Sequence, residues 1–260
     1  MNGKKYAIGL ALSGGGIRGF AHVGALRALQ DAGIKPDIIT GVSAGSVVAS
    51  CYAAGMTADD IYNTFSDVNM CDFLQVDISK SGFLKLDKFG DFLRDVLPVQ
   101  RIEDLPLPTI IAATDIDEQT EAPFTEGELV PRILASCSIP LVFSPITIDD
   151  RHYVDGGVLH NLPSFYLRDI CDTVIGINVS PSKLGKVQLN MRALAYRTYK
   201  IMTQRNVKAD KALCDILVDI TAIQHFGTFE LSQSARIART AYFETMRVLK
   251  NSDLTDIIKS

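Results

Sequence analysis

A serine in the pattern G-x-S-x-G is the first candidate for chemistry in this sequence. Ser43 is the central residue of GVSAG, with Gly41 and Gly45 on either side. The small neighbours let the chain turn sharply from a strand into a helix and expose the serine at the turn, where it can act as a nucleophile. The helix N-terminus would favour negative charge there. A serine at this position could instead only cap the helix, and the motif alone leaves both roles open.

A glycine-rich loop, SGGGIRG, precedes this motif. Gly14, Gly16 and Gly19 match the G-x-G-x-x-G pattern of dinucleotide-binding loops, but Gly14, Gly15 and Gly16 could equally present bare backbone N–H groups to a developing oxyanion. A dinucleotide site also needs an acidic residue at the end of the second strand. Asp37 starts that strand, and the serine turn occupies its end. The pattern therefore favours an oxyanion hole.

The glycine loop and the serine turn are expected to face one crevice, because loops at the carboxyl ends of neighbouring parallel strands converge. The helix after the glycine loop adds its dipole to the bare amides. Arg18, inside the loop, would fix its shape or meet a phosphate group, and a surface salt bridge is the simpler alternative for this side chain.

A serine nucleophile needs a base, and two solutions remain open. The order Ser43, Asp155, His225 would match the serine, acid, histidine order of the α/β-hydrolases, but in those enzymes the serine follows several strands and here it follows the second. The other histidines are His22, His152 and His160. The second solution is a carboxylate that acts directly on the serine. Asp155 in YVDGGVLHNLP is its best candidate, because two glycines allow close approach, although Asp-Gly-Gly by itself most often forms a turn.

The elements that must position these residues alternate between strand and helix. Strands are predicted at 6–12 and 37–40, and helices at 17–32 and 44–54. The remaining predicted elements are strands at 109–114, 146–148, 174–179 and 216–220 and helices at 187–211 and 232–249. This order predicts an α/β fold with a mostly parallel central sheet that is covered on both faces.

The region around residues 56–100 differs, because its aromatic and aliphatic residues recur at helical spacing between Asp and Ser caps. Most of these residues are expected to pack on the sheet, and a minority to line an entrance for an apolar substrate. With no repeat or linker, the prediction is one domain over residues 1–260 with a helical cap-like region at 56–100.

Composition excludes several classes of protein. The chain has 260 residues, 47% of them hydrophobic, and a formal net charge of −4, so nucleic acid is not an expected partner. Its five cysteines include no C-x-x-C pair, which argues against disulfides or zinc and favours a reducing compartment. The apolar run at 6–12 is short for a signal peptide, and the uncharged segment 38–58 is too polar to span a bilayer. The expected location is the cytoplasm.

Three motifs, GGGIRG, GVSAG and DGG, follow one another in the order and approximate spacing of the patatin-like phospholipases, and the sequence strongly resembles that family. The resemblance is closest over residues 6–57 and 109–181 and looser in the helices between them and in the C-terminal third. It implies a three-layer α/β/α fold and a Ser-Asp dyad in place of a triad.

Carried over position by position, the resemblance makes Ser43 the nucleophile and Asp155 the proton acceptor, and it assigns the oxyanion hole to Gly14, Gly15 and Gly16. Supporting roles fall to Arg18, Gly19, Gly41, Gly45, Gly156 and Gly157. His22 matches a histidine common in bacterial members, and packing or bracing of the loop is its expected role.

The resemblance therefore implies a serine acyl-ester hydrolase of the phospholipase or lysophospholipase A type, which forms an acyl-serine intermediate and uses no metal or organic cofactor. Its partners would be a lipid or acyl-ester substrate and, transiently, a membrane surface; the sequence does not define an oligomeric state. The alternative is a lipid-binding or regulatory protein of the same fold with little turnover. A nucleotide-dependent protein ranks third, because it depends on one glycine pattern.

Overall fold

A central β-sheet organises the protein. The computed structural model describes residues 4–68, 70–73, 75–76, 84–181, 190–225 and 233–252. Within these residues the sheet has eight strands: β1 (Tyr6–Leu12), β2 (Ile38–Val42), β5 (Thr109–Asp115), β6 (Thr120–Phe124), β7 (Ile146–Ile148), β8 (Arg151–Asp155), β9 (Cys171–Asn178) and β10 (Ile216–Asp219). A separate antiparallel pair consists of β3 (Gln75–Val76) and β4 (Leu84–Lys85).

The strand order is β10-β9-β1-β2-β5-β8-β7, and β6 pairs with β5. The first five strands in this order run parallel, whereas β6, β7 and β8 add antiparallel pairs at one end. The strands β1, β2, β5 and β9 consist mainly of buried residues, as expected for parallel strands covered on both faces. The predicted α/β fold with a mostly parallel sheet is confirmed.

Helices cover both faces of this sheet: α1 (Gly19–Asp31), α2 (Ala44–Ala53), α3 (Ala58–Ser66), α4 (Asp87–Val96), α5 (Leu129–Cys137), α6 (Phe165–Arg168), α7 (Met191–Lys211) and α8 (Ser234–Lys250). Successive strand residues point to opposite faces. Leu10 and Leu12 of β1 therefore join a large core with α1, α2, α5 and α8, while Ala11 joins a smaller core with α6 and α7. The three layers are helices, sheet and helices.

Most predicted elements coincide with observed ones, and the differences have local causes. The second strand continues past the predicted end at residue 40 to Val42, because Gly41 and Val42 pair with β5. Strands β6 and β8 and helix α5 were not predicted. Strand β6 contains Pro123 and is mostly exposed, so it lacks an apolar alternation. The predicted helix starts at 187 and 232 lie outside the described residues.

The cap-like region packs its aromatic side chains against one another. Phe73 lies 5.5 Å from Phe89 and 5.1 Å from Phe92 between ring centroids, and Phe65 lies 5.6 Å from Phe92. These rings join the large core. Helix α3 begins with a capping box in which Thr57 and Asp60 exchange hydrogen bonds. Residues 69, 74 and 77–83 of this region lie outside the described residues.

Helix α8 crosses α1 at a glycine, which gives a test of the packing. A Cβ at Gly24 would overlap the backbone carbonyl group of Ala238. The substitution Gly24→Ala is expected to lower the free energy of unfolding by about 1–3 kcal/mol, because the helices must move apart. Urea denaturation measures this change, with Gln30→Ala, at an exposed position of α1, as the control. Equal stability of Gly24→Ala and the wild type would contradict this close crossing.

Candidate active site

Strand register brings Ser43 and Asp155 together. Strand β6 occupies one edge of β5, so β2 and β8 share the other edge. Strand β2 pairs with β5 as far as Val42, opposite Ala112, and β8 ends with Asp155 opposite the next residue, Ala113. The two strands run towards each other and meet end to end. The residue after β2 and the last residue of β8 therefore lie at the same level of the sheet.

Ser43 lies in a strained turn that its neighbours hold in place. Its backbone has φ 53° and ψ −125°, a conformation that costs a non-glycine residue free energy. The N–H group of Ser43 donates to Oγ of Ser136 at 2.8 Å, and this hydroxyl donates to the carbonyl of Ala112 at 2.7 Å. Oγ of Ser46 donates to the Ser43 carbonyl at 2.7 Å. These hydrogen bonds fix the turn between β2 and α2.

The glycines of GVSAG allow close backbone contacts. A Cβ at Gly41 would overlap the carbonyl of Gly45, and a Cβ at Gly45 would overlap the carbonyl of Leu12. Helix α2 therefore begins directly against β1 and β2. The Ser43 side chain makes no capping hydrogen bond to α2. Capping of the helix is thus not its role, and the hydroxyl remains available for chemistry.

Asp155 is a fully buried carboxylate with an incomplete set of partners. Its Oδ1 accepts a hydrogen bond from the Gly157 N–H at 2.8 Å, while Oδ2 has no hydrogen-bond partner among the described residues. Burial raises the pKa of Asp155 to about 6, and the Gly157 amide, the hydroxyls of Ser43 and Tyr199 and the Lys200 ammonium limit this rise. The two hydroxyls lower the pKa of Asp155, although neither donates a hydrogen bond to Oδ2.

The glycine loop lies against the serine turn. A Cβ at Gly14 would lie 3.4 Å from Cβ of Ser43. The Gly14 N–H donates to the Asn161 carbonyl at 3.0 Å. Within the described part of the chain, the N–H groups of Gly15 and Gly16 have no acceptor, and Gly16 has φ 60°, which favours glycine. The loop therefore contacts Ser43 through Gly14 and carries two amide donors without an acceptor at the next two residues.

Two buried side chains, His22 and Arg18, fix the glycine loop by hydrogen bonds to backbone carbonyls. Nε2 of His22 donates to the carbonyl of Ser13 at 2.7 Å, and burial lowers the pKa of His22 to about 4, so the ring is neutral. Arg18 is also buried and donates to the carbonyls of Pro181 at 2.8 Å and Gln224 at 3.4 Å. Arg18 is therefore not a surface side chain, and these two hydrogen bonds agree with a supporting role.

The described histidine side chains are engaged away from Ser43. His22 is bound to the glycine loop, and His152 pairs with Asp117 at 3.0 Å. Nδ1 of His160 lies 2.6 Å from Asp210, and its ring stacks on Phe165. The side chain of His225 lies outside the described residues. The three described histidine side chains therefore have partners other than Ser43, whereas the strand register places Asp155 at the level of Ser43.

The remaining motif glycines allow close packing around Ser43 and Asp155. A Cβ at Gly156 would lie 2.5 Å from the Ala112 carbonyl oxygen, and one at Gly19 would lie 3.3 Å from Cβ of Ala44. A Cβ at Gly157 would lie within 3.0 Å of each of three polar atoms, which are Oδ1 of Asn161, the hydroxyl oxygen of Tyr199 and Oδ1 of Asp155. The space at Gly157 is therefore enclosed by polar groups of the site.

Helix α7 contributes residues that the sequence motifs did not reveal. The hydroxyl of Tyr199 lies beside Asp155, and burial raises the pKa of Tyr199 well above its usual value, so the phenol stays neutral. Nδ2 of Asn206 donates to the carbonyls of Gly157 at 2.8 Å and Val158 at 3.1 Å. These residues lie more than forty positions after Asp155, and no short motif contains them. Asn161 stands inside the quoted stretch YVDGGVLHNLP but had no assigned role.

Comparison with known families agrees with this architecture. The family model of the patatin-like phospholipases matches residues 10–167, which is more than half of the chain and includes the glycine loop, the serine turn and the Asp-Gly-Gly turn. The chain therefore belongs to the patatin-like phospholipase family, and the resemblance seen in its motifs is confirmed.

Relatives share a part of their length with this chain. An uncharacterised NTE family protein of Mycobacterium tuberculosis is 34% identical over 181 residues, which cover 68% of this chain and 50% of that protein. Human patatin-like phospholipase domain-containing protein 6 is 30% identical over 181 residues, which cover 66% of this chain and 13% of that protein. The matched segment thus spans at most half the length of these two relatives.

Solved structures share the fold at low sequence identity. VipD from Legionella pneumophila superposes with a TM-score of 0.62 and 15% identity over 95% of this chain and 67% of that chain. The type III effector protein ExoU superposes with a TM-score of 0.51 and 13% identity over 96% of this chain and 53% of that chain.

Across the residues described above, no helix is both long enough and apolar enough to cross a membrane.

The burial of Asp155 gives a pH-dependent stability test. Because folding raises its pKa from 3.8 to about 6, this group favours the folded state fully below pH 3.8, and that contribution is lost as the pH rises through 6. The substitution Asp155→Asn is expected to raise the free energy of unfolding at pH 8 by up to about 3 kcal/mol, with little change at pH 3.5.

Urea denaturation at the two pH values measures this effect. Asp95→Asn, at an exposed position of α4, is the control and should leave stability unchanged at both. An Asp155→Asn protein that is no more stable than the wild type at pH 8 would show that the carboxylate carries no burial cost.

Proposed function

We propose that this protein is a serine acyl-ester hydrolase of the phospholipase or lysophospholipase A type. The observation that carries the proposal is the position of Ser43 at the level of the buried carboxylate of Asp155. Ser43 has a strained backbone, and its side chain does not cap α2. The glycine loop packs against this turn. Membership of the patatin-like phospholipase family supports a lipid ester as the substrate class.

In the first proposed step, Asp155 accepts the hydroxyl proton of Ser43 while Oγ attacks the ester carbonyl carbon. The N–H groups of Gly15 and Gly16 donate to the oxyanion that forms. The N–H group of Gly14 donates to the Asn161 carbonyl instead, so the role of Gly14 in this step is to keep the loop free of a side chain beside Ser43. The C–O bond to the alcohol then breaks, the protonated Asp155 donates its proton to the leaving oxygen, and an acyl-serine remains.

In the second proposed step, Asp155 accepts a proton from a water molecule that attacks the acyl-serine. The same amides stabilise the second oxyanion, the bond to Oγ breaks, and Oγ takes the proton back from Asp155. The fatty acid leaves and the dyad is restored. These steps require no metal or organic cofactor, because Asp155 transfers each proton and backbone amides bind the negative charge.

The raised pKa of Asp155 suits this role. A carboxylate of ordinary pKa is a weak base, whereas a pKa of about 6 leaves Asp155 ionised at neutral pH and more basic than an exposed aspartate. The unpartnered Oδ2 leaves a lone pair available to receive the proton. Burial therefore supplies both the basicity and the vacant acceptor.

Contact with a lipid surface is the second part of the proposal. Helix α7 carries Tyr199 towards the dyad and leaves Met191, Leu194 and Ile201 exposed. Exposed apolar side chains on the helix that lines the site support transient, peripheral binding to a membrane from the cytoplasm. We further propose that the chain acts as one hydrolase domain, with the helices of residues 56–100 as its cap.

The dyad is tested with lipid esters and an activated-serine probe. Ser43→Ala and Asp155→Asn are each expected to lower kcat/KM for a lysophospholipid by about 10³-fold or more, because each removes a group that takes part in the bond-making step. A fluorophosphonate should label the wild type and not Ser43→Ala. Thermal melting checks the fold of each variant. A wild type that binds lipid without turnover would support the lipid-binding alternative instead.

The pH profile tests the assignment of the base. The value of kcat/KM is expected to fall at acid pH with an apparent pKa of about 6, as Asp155 becomes protonated. Tyr199→Phe removes a hydroxyl that stabilises the carboxylate, so it should move this acid limb to higher pH. Tyr196→Phe, one turn earlier on α7, is the control. An acid limb that does not move in Tyr199→Phe would remove Tyr199 from the support of Asp155.

A further inference from the structure

The side-chain amide of Asn161 lies between the glycine loop and the turn after Asp155. The position that a Cβ would take at Gly14 lies 2.6 Å from Oδ1 of Asn161 and 3.4 Å from Cβ of Ser43. The corresponding position at Gly157 lies 2.8 Å from the same oxygen and 3.0 Å from Oδ1 of Asp155. The two glycines, which have no side chains, therefore let this oxygen approach both members of the proposed dyad.

A chain of hydrogen bonds fixes which atom of this amide faces the dyad. An ionised carboxylate only accepts hydrogen bonds, and that of Asp219 accepts from Nδ2 of Asn178 at 2.7 Å. Oδ1 of Asn178 in turn accepts from the hydroxyl of Ser180 at 2.9 Å, which uses the single hydrogen of that hydroxyl. Oγ of Ser180 is then an acceptor for Nδ2 of Asn161 at 2.7 Å. The nitrogen of the Asn161 amide is thus directed to Ser180, and its oxygen is directed away from Ser180.

This oxygen is an acceptor without a donor. Asn161 is only 3% exposed, and its backbone groups are bonded to the Gly14 N–H at 3.0 Å and to Oδ1 of Asn206 at 3.3 Å. Within the described part of the chain, no group donates to Oδ1 of Asn161. Oδ1 is also not one of the polar atoms that the fold seals from solvent, so a water molecule can reach it.

We propose that Asn161 is a further catalytic residue, whose Oδ1 holds the water molecule that hydrolyses the acyl-serine. This inference rests on the hydrolase function proposed above. The attacking water has two hydrogens, of which one passes to Asp155 and the other forms a hydrogen bond to Oδ1 of Asn161. With both hydrogens directed at protein oxygens, a lone pair of the water is directed at the acyl carbon on Ser43.

The atoms of this step balance without a further reactant. The water oxygen forms a bond to the acyl carbon, and the bond from that carbon to Oγ of Ser43 breaks. Oγ takes back the proton that Asp155 received, and the hydrogen that Asn161 held leaves as part of the carboxylic acid. Asn161 exchanges no proton, so its role is to orient the water.

The inference predicts that Asn161 acts in deacylation and not in acylation, and stopped-flow kinetics with a p-nitrophenyl ester separate the two rate constants. Asn161→Ala should lower the deacylation rate constant by about tenfold or more, because the water loses one hydrogen bond. The acylation rate constant and kcat/KM, which reports on acylation, should stay within about threefold of the wild type. Asn63→Ala, at an exposed position of α3, is the control and should change neither rate constant.

Methanol provides a readout that a merely structural role would not change. Its single hydroxyl hydrogen passes to Asp155, so its attack on the acyl-serine does not need Asn161. In a mixture of methanol and water, the ratio of methyl ester to fatty acid should rise by about tenfold or more in Asn161→Ala. Ser180→Ala removes the hydrogen bond that orients the amide, so it should raise the same ratio by a smaller factor.

Two outcomes would overturn the inference. If Asn161→Ala lowers acylation, hydrolysis and methanolysis by the same factor, the amide only supports the structure of the site. If the product ratio is unchanged, Oδ1 does not hold the water. A wild type that forms no acyl-enzyme contradicts the hydrolase function itself, whereas an acyl-enzyme with an unchanged ratio contradicts only the role of Asn161. If Asn161→Ala does not fold, as judged by thermal melting, an unchanged ratio in Ser180→Ala overturns the inference.

Discussion

The end-to-end meeting of β2 and β8 on one edge of β5 is the constraint on which the site depends. Parallel strands alone would place two loops side by side at one edge of the sheet. Here the parallel strand β2 ends at Val42, and the antiparallel strand β8 pairs with the same edge of β5 beyond that point. Val42 and Asp155 therefore pair with adjacent residues of β5. Because hydrogen bonds to the same strand set both positions, the relation of Ser43 to Asp155 is as rigid as the sheet.

Around this junction some local features lower the stability of the folded protein, and the packing of its helices and sheet offsets this loss. Ser43 has a backbone conformation that is rare for a residue with a side chain, and Asp155 has an unpaired oxygen. Each would lower stability if it stood alone. Both features lie where β2 and β8 meet, so these two costs coincide with the candidate site.

The sequence predicted the local parts of this arrangement. The serine turn and the glycine loop are short motifs whose geometry follows from glycine and from strand-to-helix turns, so Ser43 and Gly14 were found from spacing. Asp155 was selected by its glycines and by family resemblance, although strand β8, which positions it, was missed because its five residues begin with exposed Arg151 and His152. The hydrogen bond that occupies the Gly14 amide and the contacts of α7 join residues far apart in sequence, and no local pattern encodes them.

The hydrogen bonds from Asn206 to the turn after Asp155 also define how much chain a working site needs. The segment that identifies the family ends at residue 167, yet the helix that holds this turn starts at Met191. Val207 of that helix covers the smaller core. The segment shared with the family is thus shorter than the unit that must fold together, so this part of the fold can change the site without altering any motif. Relatives that share the motifs can therefore differ at the site through this helix, and a comparison of the motifs alone would not show that difference.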